Sequence, residues 1–329
     1  MTAWTPSELR ALELALGAAP SVQDTMPWVV ESHPDRVDLF EWTDRPLAHH
    51  DPTGRDRLIS CGAALTNLRV AARSLGRITE VELFPEADRP ALVARVTPSG
   101  EKSATARESA LHRAVHRRRT YRHPFSGQVV AGELAADLAA AGHSEDVGVH
   151  RVMATDLTPL AEVLTYAATA LRGDRGLQRE LAMWMGTHAS SSTEGKAPPF
   201  APPADNTLPW MGLVRSSTRI PDSHVLASRL AEELLLVVHT GTDTAPDHVR
   251  AGAALQRIWL SAVDAGLVGN VITQPLHLTD VRTRLGERLG IAGFPQVMVR
   301  IGYPADEVTD APKDLRGYLR RTEAKGTLR

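Results

Sequence analysis

The sequence predicts an α+β chain built by internal duplication, and three observations carry that expectation. First, Gly62-Ala63-Ala64-Leu65 recurs as Gly252-Ala253-Ala254-Leu255, and at the same offset Ala72 matches Ala262, Gly76 matches Gly266 and Pro85 matches Pro275. Ala/Leu-rich helices match one another easily, but two glycine spacings and a proline that agree without gaps favour duplication over chance. Second, short alternating apolar stretches are interspersed with longer segments of helical period. Third, 329 residues with 43% hydrophobic and 23% charged content supply a core that needs no metal or disulfide staple. The duplication divides the chain into halves at roughly 1–104 and 105–329.

The elements follow in order. Pro6-Ser7-Glu8 opens a helix running to about Gly17, and Ala18-Ala19-Pro20-Ser21 ends it. Residues 36–42 alternate as a strand. Asp51-Pro52-Thr53-Gly54 precedes a long helix over about 55–75, stopped by Gly76. Short strands are expected near 81–84 and 92–96, and 97–104 reads as a connector. A helix from about Thr105 runs into Arg117-Arg118-Arg119. Helices are expected at 131–142, 157–170, 174–186, 223–233 and 247–265, with strands at 147–153, 234–239, 268–273 and 296–301. Residues 187–209, rich in Ser, Pro and Ala, read as a lid or loop flanked by Trp184 and Trp210, which are read as core residues ahead of pocket lining.

Composition excludes several classes. A net charge of -2 and a pI of about 6.7 speak against a nucleic-acid or membrane partner. A lone cysteine, Cys61, precludes an internal disulfide and reads as a small core residue. Glu8, Arg10 and Glu13 interrupt the N-terminal apolar stretch, unlike a secretory leader, and no apolar run reaches a membrane span. A cytoplasmic protein is expected. Glycine-rich nucleotide loops and nucleophile elbows are missing from the sequence. His112 and His116 have the i, i+4 spacing of zinc hydrolases, but Arg113 follows the first and Arg117–Arg119 crowd the second, so no metal is expected there. No acid–base or nucleophilic catalytic residue stands out.

Two segments carry candidate chemistry. His112 to Phe125 holds five arginines. It reads either as a solvated basic face or as an anion site, in which Arg118, Thr120 and Arg122 share one side of an extended segment and grip a phosphate-bearing cofactor. Ala19 to Trp28 combines two prolines with small polar residues, a rigid turn whose backbone groups either simply connect helix to strand or bind a ligand.

Together with Asp51-Pro52-Thr53-Gly54-Arg55, Ser60 to Leu65 and the closing strand Pro295 to Gly302, these segments make the chain resemble the flavin-dependent nitroreductase family, most closely its Acg-type actinobacterial subfamily. The resemblance spans nearly the whole chain. It implies a nitroreductase-like fold in which one duplicated chain imitates the family homodimer, hence a monomer with one flavin mononucleotide (FMN). Arg118, Thr120 and Arg122 would hold the flavin's pyrimidine edge, ribityl chain and phosphate. Pro20 and Ser21 would contact the ring from the other half, with Asp24 standing where the family has Asn. Thr273 and Gln274 would meet the flavin N5 edge, and Lys313 and Arg316 would close over the phosphate. Further departures are Gln23 and Met26 in place of the subfamily's His and Gln, and Asp314 within the closing basic pattern. The implied activity is electron transfer from NADH or NADPH to a flat electron-poor small molecule, a nitroaromatic or quinone. A non-catalytic FMN-sequestering protein and a flavin-free degenerate fold remain the alternatives.

Overall fold

Helix α1 (Pro6–Gly17) starts at a capping box: Thr5 N–H donates to Glu8 and Glu8 N–H donates to the Thr5 hydroxyl. Strands β1 (Trp28–Ser32) and β2 (Val37–Glu41) follow as a hairpin, then α2 (Arg55–Ser74), β3 (Arg77–Leu83) and β4 (Leu92–Glu101). These four strands form one antiparallel sheet in the order β1-β2-β4-β3. Helix α3 (Ala106–Arg117), with a second Thr-x-x-Glu box at Thr105 and Glu108, leads into the second half. There α4 (Gly132–Gly142), β5 (Val147–Arg151), α5 (Leu157–Gly173), α6 (Arg175–Ser190), α7 (Ser223–Leu230), β6 (Leu234–Thr240), α8 (Ala245–Asp264), β7 (Val268–Ile272), α9 (Thr279–Leu289) and β8 (Phe294–Gly302) follow. Its sheet has the order β5-β6-β8-β7, again antiparallel throughout. The computed structural model describes residues 3–43, 47–190 and 206–306, the side chains of 184–190 excepted.

The two halves share one plan. The run α1-β1-β2-α2-β3-β4 corresponds to α4-β5-β6-α8-β7-β8, with α5, α6 and α7 inserted before β6 and α9 before β8. Helices α2 and α8 cross at the centre. A Cβ on Gly62 would overlap the Val249 carbonyl oxygen, and a Cβ on Gly252 would overlap that of Ile59. Gly62 and Gly252 are 190 residues apart, as are Ile59 and Val249, so the repeated Gly-Ala-Ala-Leu marks a pseudo-twofold crossing. Val249 reaches into the first half's core and Ile59 into the second's. Asn67 and Arg257, also 190 apart, each donate to carbonyls at the end of a corresponding helix: Asn67 to Ala15 of α1 at 2.9 Å, Arg257 to Ala141 and Gly142 of α4 at 2.9 Å. Gly76 and Gly266 end α2 and α8 at φ +80°, a conformation that favours glycine.

Sequence and structure differ in three places. Residues 97–101 extend β4 and pair with β3 rather than serving as a connector. Strand β1 lay hidden in the proline-flanked turn segment, and α9 in a charged stretch whose buried positions are only Val281, Leu285, Gly286 and Leu289. Most of the expected lid (187–209) lies outside the described residues, as do Lys313 and Arg316 and the side chain of Trp184. Among the described residues no helix is long and apolar enough to cross a membrane.

Candidate functional site

The end of α3 and the turn after α1 meet where the halves join. The segment leaving α3 runs along the second sheet. Tyr121 N–H donates to Gly269 O at 2.9 Å, Thr120 bridges Gly269 in parallel, and Phe125 bridges Pro304. Arg300, fully buried, fixes the segment from beneath: it pairs with Glu233 at 2.7 and 2.8 Å, donates to His123 O at 3.1 Å and lies 4.1 Å from the Phe125 ring centroid. The basic run is thereby divided. Arg117 pairs with Asp264 at 3.6 Å, and Arg119 donates to the carbonyls of His116 and Arg118. Arg118 turns inward.

Arg118 is 5% exposed, and its guanidinium carbon lies 4.6 Å from the centre of the Trp259 ring. Its Nε and Nη1 are buried without a hydrogen-bond partner. Burial pulls its pKa down to about 10, the charges of Arg119 and Arg122 act in the same direction, and Asp24 opposes them. It therefore stays charged at neutral pH, a buried cation with donors to spare.

Asp24 comes from the other half. The turn holding it is wound tightly: Gln23 (φ 48°), Asp24 (φ 54°) and Met26 (φ 45°) all occupy the left-handed region, each at a cost of order 1–3 kcal/mol in a residue with a side chain. Ser21 Oγ accepts Met26 N–H at 3.0 Å, and Val22 N–H donates to Ser60 Oγ at 3.0 Å, which ties the turn to α2. Gln23 Nε2 is buried without a partner. Pro20, Ser21 and Asp24 are half-buried, as are Thr120 and Arg122.

Thr273 and Gln274 follow β7. Thr273 Oγ1 donates to Asp56 Oδ2 at 2.6 Å. Gln274, 1% exposed, accepts Val214 N–H through Oε1, while its Nε2 has no partner. It lines a small apolar pocket with Leu164, Leu208, Val214, Leu226 and Ile272. Around Asp56 stands a buried polar group absent from the sequence expectations: Asp51, Arg55, His50 and His277. His277 Nε2 lies 3.0 Å and His50 Nε2 4.0 Å from Asp56 Oδ2, and Arg55 donates to Leu276 O at 2.8 Å. Burial would raise the Asp56 pKa, but His277 and Arg55 hold it far below the usual carboxylate range. Burial and the nearby Asp56 charge push Asp51 up to about 6, and burial pushes His50 down to about 4.

No family model matches the chain. It is 31% identical over 306 residues to a protein of Mycobacterium tuberculosis strain H37Rv named "Putative NAD(P)H nitroreductase Rv3131", covering 90% of this chain and 86% of that one. It is 28% identical over 310 residues to "Putative NAD(P)H nitroreductase acg" of the same strain, covering 92% and 90%. This chain belongs to the Acg-type nitroreductase-like family. Among solved structures, the FMN-dependent nitroreductase NfnB of Mycobacterium smegmatis in complex with NADPH aligns at 16% identity and a TM-score of 0.41, over 63% of this chain and 96% of that one.

In the Acg-type chain the expected residues fall into two places. Arg118 and Asp24, from opposite halves, come within electrostatic reach, with Thr120, Arg122, Pro20 and Ser21 on the same two segments. Thr273 instead directs its hydroxyl to Asp56, and Gln274 is half engaged with Val214. Burial along 118–122 does not alternate: Arg118 and Tyr121 are buried, and the residues between are half-buried. Trp259 and Gly269 were missed because one looks like helix core and the other like a strand glycine. His112 and His116 stack edge to face at 5.4 Å, and among the described residues no third ligand joins them.

Proposed function

We propose that the chain binds one FMN between its halves and works as an NAD(P)H-dependent oxidoreductase toward flat, electron-poor small molecules of the nitroaromatic or quinone type. The observation that carries this reading is the Arg118 guanidinium, buried on Trp259 with two nitrogens unpaired and set against a turn from the other half. An orphaned buried cation calls for an anionic or acceptor-rich ligand. Gln23 Nε2, on the turn from the other half, is likewise buried and unpaired, a donor of the kind a flavin's carbonyl oxygens and ring nitrogens need. The donor set therefore fits FMN.

In this reading Arg118 and Arg122 supply positive charge, Thr120 and Ser21 supply hydroxyls, Pro20 packs on the ring and Asp24 accepts. Thr273 and Gln274 border the ring, and Lys313 and Arg316 complete the phosphate contacts. When bound, FMN supplies the redox chemistry, accepting hydride from NADH or NADPH and passing electrons on. The chain's own part is to hold positive charge where negative charge gathers, a task for which Arg118 stays protonated at neutral pH. We take 1–104 and 105–329 as the two units of a pseudo-dimer that needs no second chain.

A second reading, FMN held without turnover, draws support from the segment after the lid. Trp210 O accepts from Asn270, Val214 N–H donates to Gln274, and Gly212 abuts Asn270, so 210–214 is stitched to β7 and the turn after it. The visible spectrum of the purified protein, repeated after anaerobic NADPH and NADH, separates the readings. A flavin band that bleaches supports the oxidoreductase. A band that persists supports sequestration. No band even after added FMN would end both.

A further inference from the structure

We propose that the buried pocket formed by Asp51, Asp56, His277 and His50 is a binding site for one divalent transition-metal ion of the zinc class, clamping the start of α2 to the turn after β7. Ligand atoms of Asp51, Asp56 and His277 all lie within 4.8 Å of one another, close to the spacing that a shared ion would draw in. Asp51 is 1% exposed, and Asp56 and His50 are each 2% exposed.

His50 supplies the second observation. It is buried, its Nδ1 has no hydrogen-bond partner, and its Nε2 faces Asp56 Oδ2 at 4.0 Å. Its position is set: Glu180 of α6 accepts the backbone N–H of His49 and His50 at 2.9 and 2.7 Å. The His50 and His277 ring centroids are 5.8 Å apart. Two imidazoles bound to one ion at roughly 2.05 Å place their centroids about 5–6 Å apart. The observed 5.8 Å falls within that range.

Charge points the same way. Asp51 and Asp56 bring two negative charges into a space closed to water. Two cations oppose them in part: Arg57, with Nε on Glu41 at 2.8 Å and Nη1 3.8 Å from Asp51 Oδ2, and Arg55, with Nη1 on Leu276 O and Nε 3.8 Å from Asp56 Oδ1. A cation among Asp56 Oδ2, Asp51 and the two imidazoles would share Asp56 Oδ2 with the Thr273 hydroxyl, which donates to it at 2.6 Å and orients it. Mixed imidazole and carboxylate donors suit zinc, cobalt or iron(II) and not magnesium or calcium. The competing occupant is a proton on His277, which would make the pocket a plain His277–Asp56 ion pair.

The test is metal binding by the full chain, independent of flavin. Chelator-stripped protein is titrated with Zn2+ by calorimetry, with Co2+ as a spectroscopic probe and Mg2+ as a control. One Zn2+ per chain, a Co2+ visible band and no response to Mg2+ are expected. His277→Ala and His50→Ala, checked by circular dichroism for folding, should each weaken Zn2+ binding at least tenfold. The double variant His112→Ala/His116→Ala should leave it unchanged. Absence of saturable Zn2+ binding by the unmutated chain, or binding that survives His277→Ala and His50→Ala, would overturn the site.

Discussion

Replacing Arg118 by methionine separates a ligand-binding role from a structural one, because the two predict opposite signs. Burial is the main cause that lowers the guanidinium's pKa from its ordinary value to about 10, which corresponds to a cost on the order of 3 kcal/mol for keeping it charged in the empty protein. Contact with Trp259 returns about 1–2 kcal/mol. Methionine fills similar volume, keeps the contact with the indole and carries no charge. The flavin-free variant should therefore be more stable by roughly 1–2 kcal/mol, a rise in melting temperature of about 2–3 °C for a chain this long. FMN binding should move the other way. Losing a charge-assisted hydrogen bond of about 2 kcal/mol weakens affinity roughly 30-fold. Thermal unfolding of the flavin-free protein and fluorescence titration with FMN read the two effects separately. A variant that is destabilised by several kcal/mol and binds FMN normally would refute the reasoning and make Arg118 a structural cation.

Three further outcomes follow from the same geometry. Asp24→Asn removes the carboxylate that opposes Arg118 and places a residue that tolerates φ 54° better, so FMN should bind several-fold more tightly by the same titration; an unchanged or weaker affinity would defeat the idea. Gly62→Ala and Gly252→Ala should each destabilise by roughly 3 kcal/mol or abolish folding, and by similar amounts, since each Cβ meets a backbone carbonyl of the opposite helix; urea unfolding of the two variants compares them. Burial would raise the Asp38 pKa, but Arg95 (2.8 Å) and Arg36 (3.2 Å) more than offset it and leave it depressed. A depressed carboxylate stabilises the fold above its unfolded value near 3.9, and that stability is lost as pH falls through the folded value. Melting temperature should drop steeply below about pH 4 in the unmutated chain and more gently in Asp38→Asn, which starts lower at pH 7.

The legible parts of the sequence were those whose signal is local or periodic. The repeat was readable because close helix crossing tolerates only glycine, and that demand falls on Gly62 and Gly252 alike. Helices α2 and α8 end at Gly76 and Gly266 for the same kind of reason. Strand β1 was not legible because Pro27 and the preceding turn gave it the look of a loop, although Trp28, Val29 and Val30 are all buried. Helix α9 was hidden because its solvent face is charged and its apolar stripe is narrow. Arg118 and Asp24 were singled out on separate segments, and the turn at 20–26 brings them within reach. The Asp51–Asp56–His277 pocket was invisible because His277 lies more than 200 residues from Asp51 and Asp56 and meets them only when α2 docks on the turn after β7.

Duplication also accounts for what the two halves keep and what they have let go. The paired contacts at the α2–α8 crossing survive as near mirror images because a change on one side strains the other directly. Away from the crossing each half answers only to its own neighbours. Asn67 and Arg257 do the same capping with different chemistry. The second half has gained α5, α6, α7 and α9, and α6 now supports the loop carrying His50 through Glu180. In a homodimer any residue at the junction appears twice, so a buried arginine on one side forces a second one on the other. A fused chain escapes that rule: Arg118 and Asp24 face each other once, and the equivalent junction on the opposite side is free to take another role.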